Sequence, residues 1–153
     1  MARRSRPRLL LWAFVLLAAP GCRRASAPEL FENAPVVLVS IDTLRSDRLP
    51  AYGYRGVETP HLDRFRKDAT LFESAWSPCP MTLPSHVTML TGLLPPEHGV
   101  RNNVGFAFDG RSHAHLPGLL KARGYATGAA VSSYVLRGET GLAPLFDSAI
   151  DEV

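Results

Sequence analysis

Hydrophobic residues fall along this chain in runs of different period, and the period predicts the element. Residues 9–19 (LLLWAFVLLAA) form an unbroken apolar run behind an arginine-rich start. Val36-Val37-Leu38-Val39-Ser40-Ile41 is β-branched and nearly all apolar, which predicts a strand buried on both faces, as in a parallel sheet covered by helices. Thr59-Pro60 reads as a helix start, with Thr59 as N-cap and Pro60 at the first helical position, and Leu62, Phe65 and Ala69 then recur at helical spacing. Residues 70–76 (TLFESAW) alternate as a strand does. A helix is expected over about 84–91, stopped by Gly92, and another over 116–123, stopped by Gly124. Residues 125–132 (YATGAAVS) are a second buried-strand candidate, with small residues that permit close helix packing.

The stretches between these runs are polar or rich in turn formers. Residues 43–58 carry Pro50, Gly53 and Gly56 and read as a loop, residues 95–99 as a turn, and residues 101–114 as a long loop rich in Asn, Gly and His. Strand, helix and strand at these spacings predict an α/β fold, a mainly parallel sheet flanked by helices. Residues 145–150 look like the opening of a further element, so the chain is expected to be the N-terminal part of a longer protein.

Composition bounds the class. The 153 residues suffice for one domain core, and 46% apolar with 20% charged residues is ordinary for a globular protein. The formal charge of +3 is misleading, because Arg3, Arg4, Arg6 and Arg8 lie in the first eight positions. Without them the charge is about −1, and no basic patch argues for nucleic acid.

The apolar run over 9–19 is shorter than the ~20 residues a membrane span needs and fits the core of an export signal. It ends at Pro20-Gly21-Cys22, and a Gly-Cys pair there resembles a bacterial lipobox, in which the cysteine is lipidated and becomes the mature N-terminus. Ordinary signal cleavage and an uncleaved anchor are the alternatives. The expected organisation is a signal over 1–22, a tether over 23–35 and an α/β domain from 36 to 153. The expected location is the bacterial envelope, facing the periplasm or exterior, with a lipid on Cys22 as membrane anchor. Cys79 is then a free thiol or a small buried residue; a Cys22–Cys79 bridge is the competing reading.

Candidate chemistry sits at the ends of the predicted elements. Asp42 follows the apolar strand, and in open α/β sheets ligands bind outside the carboxyl ends of strands. A carboxylate there suits a divalent cation, or caps a turn. Arg45 and Asp47 read as a local ion pair. Thr82, just before a proline-initiated helix, is a cap or a nucleophile; a hydroxyl at a helix start meets free N–H groups and the positive dipole end. Asn103 is an exposed loop amide or a donor to an oxygen that gains charge in a transition state, and Asn102 competes for that role. His86 contacts an ester or packs, His98 is structural, and the His113/His115 pair lacks a matching ligand cluster for a metal.

Together, VVLVSIDTLRSD from residue 36, Tyr52-Gly53-Tyr54, Thr59-Pro60-His61-Leu62-Asp63 and TLPSHVTMLTGLLPPEHGVRNN from residue 82 resemble the N-terminal part of the sulfatase family in the alkaline phosphatase superfamily. The resemblance implies a metal-dependent hydrolase of phosphate or sulfate esters, with two zinc ions in its phosphodiesterase members and one calcium in its sulfatases. It implies Asp42 as a metal ligand and Thr82 as both nucleophile and ligand, with Asn103 and His86 at the substrate. Many sulfatases carry a second Asp where this chain has Thr43. Formylglycine sulfatases carry a Cys/Ser-x-Pro-x-Arg signature, and threonine cannot become that aldehyde; His86 replaces the arginine, and Cys79 is followed two residues on by Met81, not proline. Thr-x-Pro-x-His looks instead like the nucleotide pyrophosphatase/phosphodiesterase branch, where threonine attacks phosphorus directly. The implied substrate is a small-molecule, lipid or glycan ester. A non-catalytic envelope lipoprotein that keeps the fold as a binding module is the alternative.

Overall fold

The computed structural model describes residues 31–152. The signal, the lipidation site at Cys22 and most of the predicted tether lie outside the described residues. The chain divides between Val39 and Ser40, and each side is described by itself.

Before that boundary, Val36, Val37, Leu38 and Val39 are exposed, Val37 to 81%, and no strand is formed there. This corrects the expected buried strand over 36–41. An apolar β-branched run supplies the propensity for a strand, but a strand exists only through a paired neighbour, and none of the described residues pairs with this one.

After the boundary, the described residues form four helices and one parallel strand pair, linked by loops and short 3-10 turns. Helix α1 spans Pro60–Phe65, α2 spans Thr82–Thr91, α3 spans Pro95–His98 and α4 spans Leu116–Lys121. Strand β1 (Gly128–Ala130) pairs in parallel with β2 (Ser148–Ile150), in the register Gly128↔Ser148, Ala129↔Ala149, Ala130↔Ile150. The predicted parallel α/β class is thus present in small form. Three adjustments follow. Residues 70–76 form no strand, and Trp76 is 89% exposed, so their alternation has no sheet to bury a face against. The strand expected over 125–132 shortens to the three residues that β2 pairs. Residues 95–99 are a helical turn, because Glu97 accepts from the Leu94 N–H at 2.7 Å and Pro95 presets the first φ.

Helix α1 starts as expected at Thr59-Pro60, although the Thr59 hydroxyl donates to the Asp63 carboxylate (3.2 Å) rather than accepting from the backbone. Helix α2 ends at Gly92, whose φ of 73° lets its N–H reach the Thr88 carbonyl at 2.7 Å.

The core gathers Leu83 and Val87 of α2 with Val100, Phe108, Leu136, Leu142 and Leu145, and Leu90 packs against it. Leu83, Val87 and Leu90 fall at i, i+4 and i+7, one stripe of a helix. Burying that stripe fixes the rotation of α2, and so fixes which face carries Thr82 and His86. Gly141 closes the core from behind: its φ is 83°, and the Phe108 carbonyl stands where a side chain would begin.

The strand pair is fastened where its strands begin. Asp147 accepts from the Thr127 N–H (2.8 Å) and hydroxyl (3.0 Å) and pairs with Lys121 at the end of α4 (2.9 Å). These partners hold the Asp147 carboxyl below the usual carboxylate range, the Lys121 bond most strongly.

Candidate active site

Thr82 and Asp42 are 40 residues apart in sequence, and the fold brings their side chains together. The Thr82 hydroxyl lies 3.1 Å from Asp42 Oδ2 and 3.3 Å from Oδ1, donating to the carboxylate. Thr82 is not the residue before the helix, as its spacing from Pro84 suggested. It is the first residue of α2, Met81 is the N-cap, and Pro84 is the third helical residue. Proline lacks an N–H and so is tolerated throughout the first turn, which is why it did not mark the boundary.

The carboxylate is presented by a sharp turn. Thr43, next to Asp42, has a φ of 59°, a left-handed conformation that a β-branched residue rarely adopts, and its hydroxyl donates to the Asp42 carbonyl at 2.7 Å. Such strain is of order 1–3 kcal/mol and concentrates at functional sites. Arg45 and Asp47 pair locally at 2.7 Å, as expected.

The first turn of α2 has few donors left. Pro84 has none, the Ser85 N–H reaches the Met81 carbonyl at 3.2 Å, and the Leu83 N–H is taken by Asn103 Oδ1 at 2.9 Å. Among the described residues, the Thr82 N–H is the first-turn donor that keeps no acceptor. Asn103, half-buried, therefore reaches the first turn of the helix that carries Thr82. Asn102 does not: its Oδ1 accepts from the Asn103 N–H at 2.7 Å. Because Asn103 Oδ1 must accept from Leu83, its NH2 group is directed elsewhere and is left to donate.

His86 lies one turn into α2, on the same face as Thr82. Its Nδ1 is 2.7 Å from the Thr82 carbonyl and its Nε2 is 3.0 Å from Ser40 Oγ. A carbonyl only accepts, so Nδ1 carries the proton, and in the neutral ring Nε2 accepts from the Ser40 hydroxyl. Both nitrogens are thus engaged within the chain. The loop that delivers α2 is held by Ser77 and Ser85, whose hydroxyls lie 2.8 and 2.9 Å from the Cys79 carbonyl. The Cys79 thiol faces Ser85 Oγ (3.5 Å) and the Met81 carbonyl (3.7 Å), not Asp42.

Two other histidines, His98 and His115, have structural partners. His98 is buried; its Nδ1 accepts from the Val100 N–H (3.2 Å), so Nε2–H donates to Thr88 Oγ1 (3.1 Å). Burial pushes its pKa down. His115 is the N-cap of α4, its Nδ1 accepting from the Gly118 N–H at 3.0 Å.

The comparison with known proteins fits this layout. The Sulfatase family model matches residues 35–136, from before Asp42 to beyond Asn103. The chain belongs to the sulfatase family. It is 33% identical over 135 residues to the steryl-sulfatase of Mus musculus, covering 80% of this chain and 22% of that protein. It is 33% identical over 121 residues to the N-acetylgalactosamine-6-sulfatase of Rattus norvegicus (72% of this chain, 22% of that protein). It is 25% identical over 124 residues to the N-acetylglucosamine-6-O-sulfatase of Bacteroides thetaiotaomicron (81% and 22%). The chain spans about a fifth of the length of these relatives. No solved structure gives a significant match.

In this sulfatase-family chain, Asp42 and Thr82 offer a carboxylate and a hydroxyl, an all-oxygen set that suits a hard or borderline divalent cation. Among the described residues no group of three or more His, Cys, Asp or Glu gathers. Ser40 sits inside an apolar run and carries no motif of its own. The available signal was spacing on the helix: Thr82 and His86 are four apart and share a face.

Proposed function

We propose that the complete protein is a metal-dependent hydrolase of sulfate or phosphate esters in which Thr82 is the nucleophile. The observation that carries this reading is the 3.1 Å contact between Thr82 Oγ1 and Asp42 Oδ2 across 40 residues of sequence. A cap needs no such partner, whereas a threonine nucleophile needs a group that holds its proton or its charge.

Asp42 and Thr82 would hold a divalent cation through their oxygens. The chemistry the cation supplies when bound is positive charge, which favours the Thr82 alkoxide over the alcohol. The Thr82 hydroxyl gives up its proton to solvent, its oxygen forms a bond to the phosphorus or sulfur of the ester, the bond to the ester oxygen breaks, and the departing alkoxide takes a proton from solvent and leaves as the alcohol. Water cleaves the resulting threonine ester and returns the hydroxyl. The Asn103 NH2 donates to a non-bridging oxygen as it gains charge, and the Thr82 N–H adds a second donor at the helix end.

Between the two ester classes, the names of the relatives favour sulfate, and the residue at position 82 favours phosphate. Threonine has a methyl group on Cβ and cannot be oxidised to formylglycine, so attack by the hydroxyl itself is the route open to this chain. A phosphodiester is therefore the preferred substrate class, with two zinc ions as the expected metals. Export with a lipid on Cys22 belongs to the same reading.

The test is hydrolysis of an aryl phosphodiester and an aryl sulfate by the complete protein, with Thr82→Ala beside it. Faster phosphodiester cleavage, abolished in the variant, supports the reading. Sulfatase activity that survives Thr82→Ala defeats the nucleophile assignment, and absence of both activities with metal supplied favours the binding module.

A further inference from the structure

Two residues of the segment leading to the turn face two residues of α2, and the four close a ring. Asp42 accepts from the Thr82 side chain. Ser40, on the same side of its segment, meets His86 Nε2 at 3.0 Å, and His86 Nδ1 returns to the Thr82 carbonyl at 2.7 Å. Thr82 is held at both ends, its hydroxyl by Asp42 and its carbonyl by His86. Thr82 and His86, four apart on the helix, share a face, and both contacts form at once.

We propose that Ser40 is a positioning residue that acts through His86 to set where Thr82 stands relative to Asp42. The inference rests on Thr82 being the nucleophile. With Nδ1 committed to a carbonyl, the neutral ring offers only a lone pair at Nε2, and the Ser40 hydroxyl is the donor that occupies it. Without that donor the ring loses its outer tether, and the first turn of α2 is held to the segment by the Asp42 contact alone. Asp42 is also the group asked to bind a cation, so a second tether keeps the hydroxyl in place independently of that carboxylate. Small displacements of a nucleophile have large effects on rate. This assigns His86 to orienting Thr82 rather than to binding the ester.

The experiment compares Ser40→Val and Ser40→Thr in the complete protein. The two side chains have nearly the same shape and differ in the hydroxyl. Ser40 is exposed, and equal Tm values for the two variants check that both fold alike. The expected result is a kcat about tenfold lower in Ser40→Val, with KM and bound metal per chain unchanged, and kcat near the parent value in Ser40→Thr. Histidine ¹⁵N spectra of Ser40→Val should show the His86 Nε2 signal of an acceptor that has lost its donor. Equal kcat in the two variants, whether high or low, overturns the proposal, because the hydroxyl then does not matter. A raised KM with unchanged kcat also overturns it, by placing His86 at the substrate. Thr82→Ala separates the two levels: if it stays active, the nucleophile reading fails and this inference with it, whereas an inactive Thr82→Ala beside a fully active Ser40→Val removes this inference alone.

Discussion

Asn103 Oδ1 accepts a hydrogen bond from the Leu83 N–H at 2.9 Å, so one loop amide both caps the first turn of α2 and fixes its own orientation. The two functions can be separated. In Asn103→Asp the carboxylate still accepts from Leu83 and suits the helix dipole, but it has no donor for a developing negative charge. Thermal unfolding should be unchanged or slightly raised, while kcat for ester cleavage should fall by about 10²–10³. A variant that remains fully active would show that the Asn103 amide donates nothing to the reaction.

His98 is buried in its neutral form between Val100 and Thr88. Its folded pKa lies below the ordinary histidine value because burial penalises the cation. The unfolded chain therefore takes up the proton first as pH falls. Stability from this group is complete above about pH 6.5 and declines as pH drops below it toward the folded pKa. Urea midpoints measured between pH 7.5 and 5.5 should fall with pH in the parent, and the slope should be shallower in His98→Gln.

Asp147 behaves in the same sense at lower pH. Lys121 and Thr127 hold its folded pKa below the unfolded value, so its contribution is present above about pH 4 and is lost as pH falls further. Asp147→Asn keeps an acceptor for Thr127 and loses the ion pair; Asp147→Ala loses both. Acid unfolding curves should rank parent, then Asn, then Ala in resistance, and hydrogen exchange should be faster at residues 127–131 in the alanine variant.

Thr43 carries the strain of the turn behind Asp42. Glycine adopts that φ without penalty, at some cost in unfolded-state entropy. Thr43→Gly should raise stability by up to about 1 kcal/mol. It should also weaken metal binding, because the turn that aims Asp42 becomes looser; differential scanning calorimetry and metal titration check the two effects. Thr43→Gly that is less stable than the parent would mean that the hydroxyl bond to the Asp42 carbonyl outweighs the strain.

Core packing predicts the largest stability change. Leu83 is fully buried on the stripe that sets the rotation of α2. Leu83→Ala should cost about 2–5 kcal/mol by denaturant unfolding. Because the same stripe aims Thr82 and His86, activity should fall even under conditions where the variant remains folded.

Local signals in the sequence were read where the deciding interaction is itself local. Thr59-Pro60 and Gly92 bounded helices because capping and φ preference involve neighbouring residues. Residues 36–41 and 70–76 form no strand because a strand needs a partner, which local pattern cannot provide. Helix α2 starts at Thr82, two residues before Pro84, since proline is permitted at more than one first-turn position. Asn102 and Asn103 were indistinguishable by type, and only their partners separate them.

Pattern and motif order along the chain carry the α/β class, the sulfatase-family motifs and a short roster of candidate residues, Asp42, Thr82 and Asn103 among them. Residue type sets what an atom can do, and motif order carries the family. Tertiary structure decided which of those atoms meet: Thr82 with Asp42, Asn103 with Leu83, and His86 with the unnoticed Ser40. The Asp42 and Ser40 contacts span 40 and 46 residues of sequence. They exist because burial of Leu83, Val87 and Leu90 rotates α2 to one angle, and that constraint comes from packing rather than from the order of residues along the chain.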